Sequence, residues 1–527
     1  SDSRTTVATT CSSKSMFPGT HAASAPDRPA VIMAESGRAL TYRELDDNSA
    51  RLASALYRMG LRKGDVIAML SDNAAEAFEI YWAALRSGLY ITAVNWHLAA
   101  EEAAYILRDS GARVVIASFG VRKLAEPLLD LVPELQRWYS FGGAITGYLS
   151  YGELLAATEP RLTDQPRGSE MLYSSGTTGR PKGIKPHLLP IQVDEPGDPL
   201  VGLLAHAFKI SSDDIYLSPA PIYHTAPLKW CGSVQALGGT VVLMKRFDAE
   251  KALAAIQEYR VSVTQMVPTM FVRMLQLPDA IRKAYSVSSL RTAVHAAAPC
   301  PPDVKDAMID WWGPILVEYY GATEGHGTTV IATAEWKNKR GSVGKAALGV
   351  LHICDDEGNE QPPGTIGTVY FERDVVPFEY HNDPEKTAAS RHPEHQNWST
   401  VGDIGYVDED GYLFLTDRKA FVIISGGVNI YPQEVENVLA LHPKVFDVAV
   451  IGVPDPEMGE QVKAVVQLRP GTTPSDELAD AIIVYVRDRI AHYKTPRTVD
   501  FVDELPRTAT GKLVKRALKA RYMEASA

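Results

Sequence analysis

Residues Leu172–Gly183 read LYSSGTTGRPKG, and this stretch restricts the folds open to the chain more than any other. Its glycines let backbone N–H groups close around an anion, the hydroxyls of Ser174, Ser175, Thr177 and Thr178 add donors, and Lys182 brings a point charge. Gly176 and Gly179 bracket the threonine pair. Such a loop wraps phosphate oxygens, whereas Gly-Thr-Thr-Gly standing alone would read as a surface turn. No Ser or Thr follows a Gly-Lys pair at the spacing of a Walker loop, so the mononucleotide fold of those ATPases is not implied.

A chain of 527 residues exceeds what one hydrophobic core serves and should divide into several domains. The net charge of −11 argues against a general nucleic-acid or acidic-membrane binder, so substrate phosphates must meet local cations. No apolar run approaches the ~18 residues of a membrane span, and the Ser/Thr-rich start lacks an apolar signal core. Residues 1–15 are expected to be a disordered tail or an expression remnant. Cys11, Cys231, Cys300 and Cys354 have no metal-ligand spacing and read as buried or incidental thiols, which fits a reducing cytoplasm.

Strands and amphipathic helices alternate from the start, the pattern of an α/β fold with a largely parallel sheet. Ala30–Met33, Val66–Leu70, Tyr90–Val94 and Arg113–Ala117 read as strands. Thr41 with Glu44 forms a capping box, and Asn73 is expected to open the helix that runs to Arg86. Leu188–Ile210 should be a loop leading into a helix. Asp213–Ser218, Val241–Met244 and Ser262–Met266 imply a second α/β layer. From about Gly341 short apolar runs alternate with turn clusters, as in small β-barrels and antiparallel sheets. After Arg418 the texture is mixed again: Val422–Ile424, a loop Ser425–Asn429, a helix Pro432–Leu441, strands Val445–Val453 and Gln461–Leu468, and a helix Ser475–Ile490. The fold class is therefore multidomain α/β. Its parts are an N-terminal region 16–417, with the β-rich part at about 341–416, and a smaller C-terminal domain 418–527.

Four further motifs carry candidate chemistry. In Tyr320-Gly321-Ala322-Thr323-Glu324 the carboxylate can hold Mg²⁺, Thr323 can donate to a phosphoryl oxygen and Tyr320 offers a ring; the plainer reading is a helix N-terminus capped by Thr323. His295 to Pro299 is a small-residue strand end against which a flat base could lie, or simply close packing of alanines. In Thr400-Val401-Gly402-Asp403 and Asp417-Arg418 an acid can bind ribose hydroxyls, or serve only as a turn residue. Thr510-Gly511-Lys512 presents a lysine near the C-terminus, where a solvated basic tail is the ordinary expectation.

From about Met16 to Met523 these blocks, together with Pro221 to Ala226 and Ser425 to Pro432, resemble in order and separation an acyl-CoA synthetase of the adenylate-forming superfamily. The resemblance implies a large N-terminal adenylation domain of two α/β subdomains plus a β-barrel, and a small mobile α+β C-terminal domain. It also implies a reaction in two halves. A carboxylate attacks Mg·ATP to give acyl-AMP and pyrophosphate, and a thiol then displaces AMP to give acyl-CoA.

Carried onto this sequence, the resemblance gives Ser174, Ser175, Gly176, Thr177, Thr178, Gly179 and Lys182 the β- and γ-phosphates. Thr177 and Glu324 take magnesium and Thr323 the α-phosphate. Ala297, Ala298 and Tyr320, with Gly321 and Ala322, take the adenine end, and Asp403 and Arg418 the ribose. Lys512 bridges carboxylate and nucleotide, and His224 stands between acyl pocket and thiol channel. Trp230, Met266, Val267, Ala296 and Gly321 are the expected acyl neighbours. Ser425, Gly426 and Gly427 are expected to line the pantetheine path, with Gly427 close to it, and the hinge falls at Ala420.

The family pattern is broken in three places: Ala420 stands where a charged hinge residue is usual, Ile184-Lys185-Pro186-His187 follows the loop, and Val428 replaces a common Glu. A free apolar acid, fatty or bulky and cyclic, is favoured over an amino acid, because Tyr223-His224-Thr225 offers no acidic partner for an ammonium. The implied cofactors are ATP, Mg²⁺ and coenzyme A. A carrier-protein thiol as acceptor, a luciferase-like oxygenase and a non-catalytic nucleotide-binding regulator are the competing readings. No nucleic acid and no membrane span is expected, the location is cytoplasmic, and a homodimer is left open.

Overall fold

The computed structural model describes residues 16–156, 160–174, 180–508 and 513–524. By its internal contacts the chain divides into two compact units.

The first unit takes Ser1–Met171, Leu188–Tyr216 and Leu228–Leu243. Its six-stranded sheet runs Leu149–Ser150, Trp138–Phe141, Ala112–Ser118, Val66–Leu70, Tyr90–Ala93, Ser169–Glu170, parallel throughout. A helix between successive apolar runs returns the chain to the same edge, which makes neighbouring strands parallel. Val66–Leu70 is buried at every position, as a strand covered on both faces must be. The chain enters at this central strand, steps outward to Tyr90–Ala93, then reverses to Ala112–Ser118 and beyond.

Thr41 and Glu44 form the expected capping box on the helix Tyr42–Arg58. The next helix begins at Glu76 and not at Asn73. Asn73 is buried in the turn leaving the central strand, where the Ser118 hydroxyl accepts from Asp72 N–H and donates to its carboxylate. Helix Pro199–His206 follows the Pro/Gly-rich loop, with the Asp198 carboxylate accepting from Leu200 and Val201 N–H. Inside this unit the Glu170 carboxylate accepts from the Tyr81 hydroxyl at 2.6 Å and lies 3.5 Å from Lys229 Nζ.

The second unit takes Leu172–His187, Leu217–Pro227 and Met244–Ala527. Val263–Met266, Thr292–His295 and Leu316–Tyr320 lie parallel, then Thr328–Ala332 and Lys345–Leu348 continue antiparallel. An antiparallel sheet follows, made of Val350–Cys354, Gly367–Glu372, Asp403–Val407 and Leu413–Arg418, with Trp398–Ser399 on Gly367–Glu372. A separate three-stranded sheet joins Leu172–Ser174, Lys182–Pro186 and Phe378–Tyr380, so the two flanks of the phosphate loop are pinned to a segment far downstream.

Beyond Arg418 comes one 3₁₀ turn, Lys419–Phe421. The long ribbon Val445–Asp455 with Gly459–Leu468 then packs against the helices Pro432–Leu439 and Asp476–Arg487 around a core that includes Val450, Ala464 and Ile482. The stretch expected as a loop at Ser425–Asn429 is a tight hairpin between Ile423–Ser425 and Val428–Ile430. Gly426 and Gly427 turn it with φ of 57° and 79°, the left-handed pair that two-residue hairpins require.

Candidate active site

The central parallel strands of the second unit set the site. Leu316–Tyr320 delivers Tyr320 at its carboxyl end, and the hydroxyl of Tyr320 donates to the Asp403 carboxylate. Asp403 and Arg418 are register partners on adjacent strands, with Arg418 Nε 3.5 Å from Asp403 Oδ1. Three residues distant in sequence thus meet around one carboxylate. Burial, and next the charge of Asp403, hold the Tyr320 hydroxyl protonated and donating.

After Tyr320 the chain makes a turn closed by Gly325 N–H on Ala322 O, and no helix starts at Thr323, so the capping alternative is set aside. Thr323 is exposed, and its hydroxyl lies 2.9 Å from that of Thr225. Thr225 opens the helix Thr225–Ala236, whose first N–H groups have no intrahelical partner and form an electropositive end. Gly321 has ordinary room for a Cβ, 3.5 Å from Gly327 O and Thr328 Oγ1, so packing does not demand glycine there. His326, buried among Phe371 and Tyr320, is driven down to about 3 by burial and next by Arg373.

Glu324 accepts a hydrogen bond from the buried Tyr380 hydroxyl at 2.8 Å, and Lys182 Nζ lies 2.9 Å from Asp383 Oδ2. Asp383 in turn caps the helix Pro384–Ala389 by accepting from Lys386 N–H. That N–H, followed by Lys182, holds the Asp383 carboxyl below the usual range. Neither Tyr380 nor Asp383 is flagged by the motif reading. Asp-Pro-Glu is a visible helix-start signal, but its pairing with Lys182 depends on the three-stranded sheet.

Ala297 and Ala298 emerge just after the buried strand Thr292–His295. Ala297 holds φ of +74°, a left-handed conformation costing a non-glycine about 1 kcal/mol or more. Beneath it, Lys305 Nζ meets Glu318 Oε2 at 2.7 Å, and His295 Nε2 is 3.6 Å from the same oxygen. All three are buried; burial keeps His295 neutral and raises Glu318 against the pull of Lys305. This knot ties the two strands whose ends carry Ala297 and Tyr320. Motif reading does not find Lys305 or Glu318.

Among the expected acyl neighbours, Met266 and Ala296 are brought together, with Ala296 N–H on Met266 O at 3.4 Å and Val267 adjacent. His224 packs on the Tyr223 ring. Trp230 belongs to the first unit, where it is wholly buried between Tyr216 and Phe208. Ala420 is exposed in the 3₁₀ turn and Lys515 Nζ lies 5.5 Å over Phe421. The Asp417 carboxylate accepts from Gln433 N–H across that turn. A Cβ on Gly427 would meet nothing within 4 Å, whereas one on Gly426 would strike Met458 Cε at 2.5 Å. At Gly427 the demand for glycine is therefore conformational. Ser174 faces Lys182 across the paired strands; Ser175, Gly176, Thr177, Thr178, Gly179 and Lys512 lie outside the described residues.

Residues 19–380 match the AMP-binding enzyme family and residues 434–512 its C-terminal domain. The chain belongs to this family. The AMP-binding enzyme is 33% identical over 96% of its length to a fatty acid–[acyl-carrier-protein] ligase of Streptomyces coeruleorubidus, itself covered over 96%. It is 35% identical over 94% to a feruloyl-CoA synthase of an Amycolatopsis species, covered over 96%. Among solved structures it resembles the anthranilate CoA ligase AuaEII in complex with anthranoyl-AMP, with TM-score 0.81, 26% identity and 95% of each chain covered. The AMP-binding enzyme is thus an AMP-forming acid–thiol ligase of the acyl-CoA synthetase type, using ATP and coenzyme A. No helix among the described residues is long and apolar enough to cross a membrane.

Proposed function

We propose that this enzyme activates an apolar carboxylic acid, fatty or bulky and cyclic, to acyl-AMP with release of pyrophosphate and passes the acyl group to coenzyme A. The observation that carries the reading is the meeting of Tyr320, Asp403 and Arg418 around one carboxylate at the end of a parallel strand. There Asp403 can accept both ribose hydroxyls while the Tyr320 ring lies by the base, and Ala297 and Ala298 offer a flat backbone face for it. Glu324 and Lys182, each held by a partner from the 378–387 segment, stand where the polyphosphate would lie.

The Glu324 carboxylate is a fitting donor for magnesium, which takes one or two protein oxygens and fills the rest with water and phosphate, and the family resemblance assigns Thr177 as the second protein oxygen. When bound, the ion supplies charge neutralisation to the leaving pyrophosphate. Thr323 and the open end of the helix Thr225–Ala236 donate toward the α-phosphate, where negative charge grows as the acid oxygen adds. Lys512 bridges the incoming carboxylate and the nucleotide. His224 stands at the mouth of the acyl pocket formed by Met266, Val267, Ala296 and Gly321. In the second half, the C-terminal domain 418–527 turns about Ala420, and Ser425 to Gly427 line the pantetheine path. A cytoplasmic location accords with this chemistry.

The test mixes enzyme, Mg·ATP and a panel of fatty, aryl and alicyclic acids, reading pyrophosphate and then acyl-CoA. Failure of every acid in the panel to release pyrophosphate would sink the reading. The likeness to a carrier-protein ligase motivates one alternative acceptor: acyl-AMP consumed by a phosphopantetheinyl carrier protein and not by coenzyme A would select it.

A further inference from the structure

The carboxyl edge of the parallel sheet in the first unit carries a cavity of about 780 Å³, and among the described residues none assigned to acid or nucleotide lines it. The sheet reverses direction beside the central strand Val66–Leu70, and open α/β sheets take ligands outside the carboxyl ends of their strands near such a reversal. The cavity reaches from Glu76 and Glu79 on the helix after the central strand to Ser140 and Phe141 at the end of the strand Trp138–Phe141, which stands two places along the sheet from the central one. Its volume lies within the range of small-molecule sites.

Glu79 lines the cavity at 2% exposure. Its carboxylate accepts from the Tyr151 hydroxyl at 3.1 Å and from the Asn48 amide at 2.5 Å, both neutral donors. Burial lifts its carboxyl to about 7, and these two donors offset that only in part. Among the described residues Arg38 is the one cationic side chain in the lining; it is engaged with Glu76 at 2.6 Å, and Glu44 adds a further acid. An incoming carboxylate would meet repulsion; a cation on Glu79 would add a close countercharge to the weaker pull of Arg38, whose guanidinium is held by Glu76. Phe141, Tyr148 and Leu40 supply apolar wall.

We propose that this cavity binds a primary amine on a compact apolar body, its ammonium on Glu79 and its body against Phe141 and Tyr148. The groups acting on Glu79 are Asn48 from the helix Tyr42–Arg58, Tyr151, Glu76 and Arg38, and Glu44 is a further acid of the lining. As the amine seats, the carboxyl gives up the proton it still holds near neutral pH, so binding tightens as pH rises from 6 to about 8.

Calorimetry on the full chain compares 2-phenylethylamine, cadaverine and 2-phenylethanol, which shares the first probe's body without its charge. We expect one site per chain, with the arylamine at least ~10-fold tighter than the alcohol and proton release seen as buffer-dependent heat. Glu79→Gln keeps an amide for Asn48 and Tyr151 and should reduce the amine to the affinity of the alcohol. Ala144→Trp, at an exposed position of the lining, should block all three probes without touching Glu79. Equal binding of amine and alcohol, amine binding that survives either variant, or no saturable heat with any probe would overturn the proposal.

Discussion

Tyr380→Phe removes one oxygen atom and separates the magnesium role proposed for Glu324 from the other roles proposed for the site. The Tyr380 hydroxyl is 2.8 Å from Glu324 Oε1, and its ring is 5% exposed within a small cluster with Ile184, Val376 and Phe378. Phenylalanine preserves that packing, so the fold should hold. A hydrogen bond to a charged group is worth about 1.5–3 kcal/mol, and loss of an outer partner of a metal carboxylate costs ~10- to 100-fold in metal affinity. The half-saturating Mg²⁺ concentration for pyrophosphate release should therefore rise by about one order of magnitude or more, with catalysis recovering at high Mg²⁺. Conversion of preformed acyl-AMP to acyl-CoA should be nearly unchanged. An unaltered Mg²⁺ titration would show that Tyr380 does not position Glu324; equal loss of both half-reactions would mean that the ring and not the hydroxyl matters.

Lys512→Ala should slow adenylation by about 10²- to 10³-fold, the scale of one lost transition-state donor, and spare thioester formation; equal damage to both halves refutes the assignment. Lys305→Met strands the buried Glu318 and should cost about 3–5 kcal/mol, while Lys305→Met with Glu318→Leu regains most of it. In the single variant Glu318 holds its proton above its unfolded value, so urea stability should fall further as pH rises, and a pH-independent loss would contradict this. Glu79, protonated to about 7 when folded against about 4.5 unfolded, subtracts roughly 3 kcal/mol of stability once ionised. Glu79→Gln should accordingly gain on the parent between pH 5 and 8, and a constant difference across that window would count against it. Ala420→Pro, at an exposed turn position, should keep one half-reaction and lose most of the other with stability little changed; unimpaired rates in both would move the turning point elsewhere.

Periodicity and local chemistry made much of this molecule readable in advance. The parallel order of Val66–Leu70, Tyr90–Ala93 and Ala112–Ser118 follows from strand–helix alternation, and Thr41 with Glu44 announces its own helix. Asp403 and Arg418 were visible as motifs, but their meeting depends on an antiparallel register that no local signal sets. Tyr380, Asp383, Lys305 and Glu318 escaped because each gains its meaning from a partner on another element. A lysine in a helix reads as solvent-facing until the fold places it, here at 1% exposure against a carboxylate. The start of the helix at Glu76 was misplaced for a related reason: Asn73 is a good cap by residue type, yet it is spent in the turn that Ser118 holds.

The three-stranded sheet around the phosphate loop has a consequence for how the protein is made. Leu172–Ser174 and Lys182–Pro186 can pair as soon as both leave the ribosome, but Tyr380, register partner of Ile184, is roughly 200 residues further on. At ~5–20 residues per second that interval lasts about 10–40 s. Throughout it Lys182 lacks Asp383, and over its last 56 residues Glu324 lacks Tyr380, so the nascent chain carries the nucleotide motifs without the partners that hold them. A ribosome that stalls within this window releases a fragment with an unpaired Lys182–Pro186 edge, a surface open to strand addition from other chains. Synthesis in order from the N-terminus thus delays assembly of the ATP site and leaves this edge to be shielded until Phe378–Tyr380 emerges.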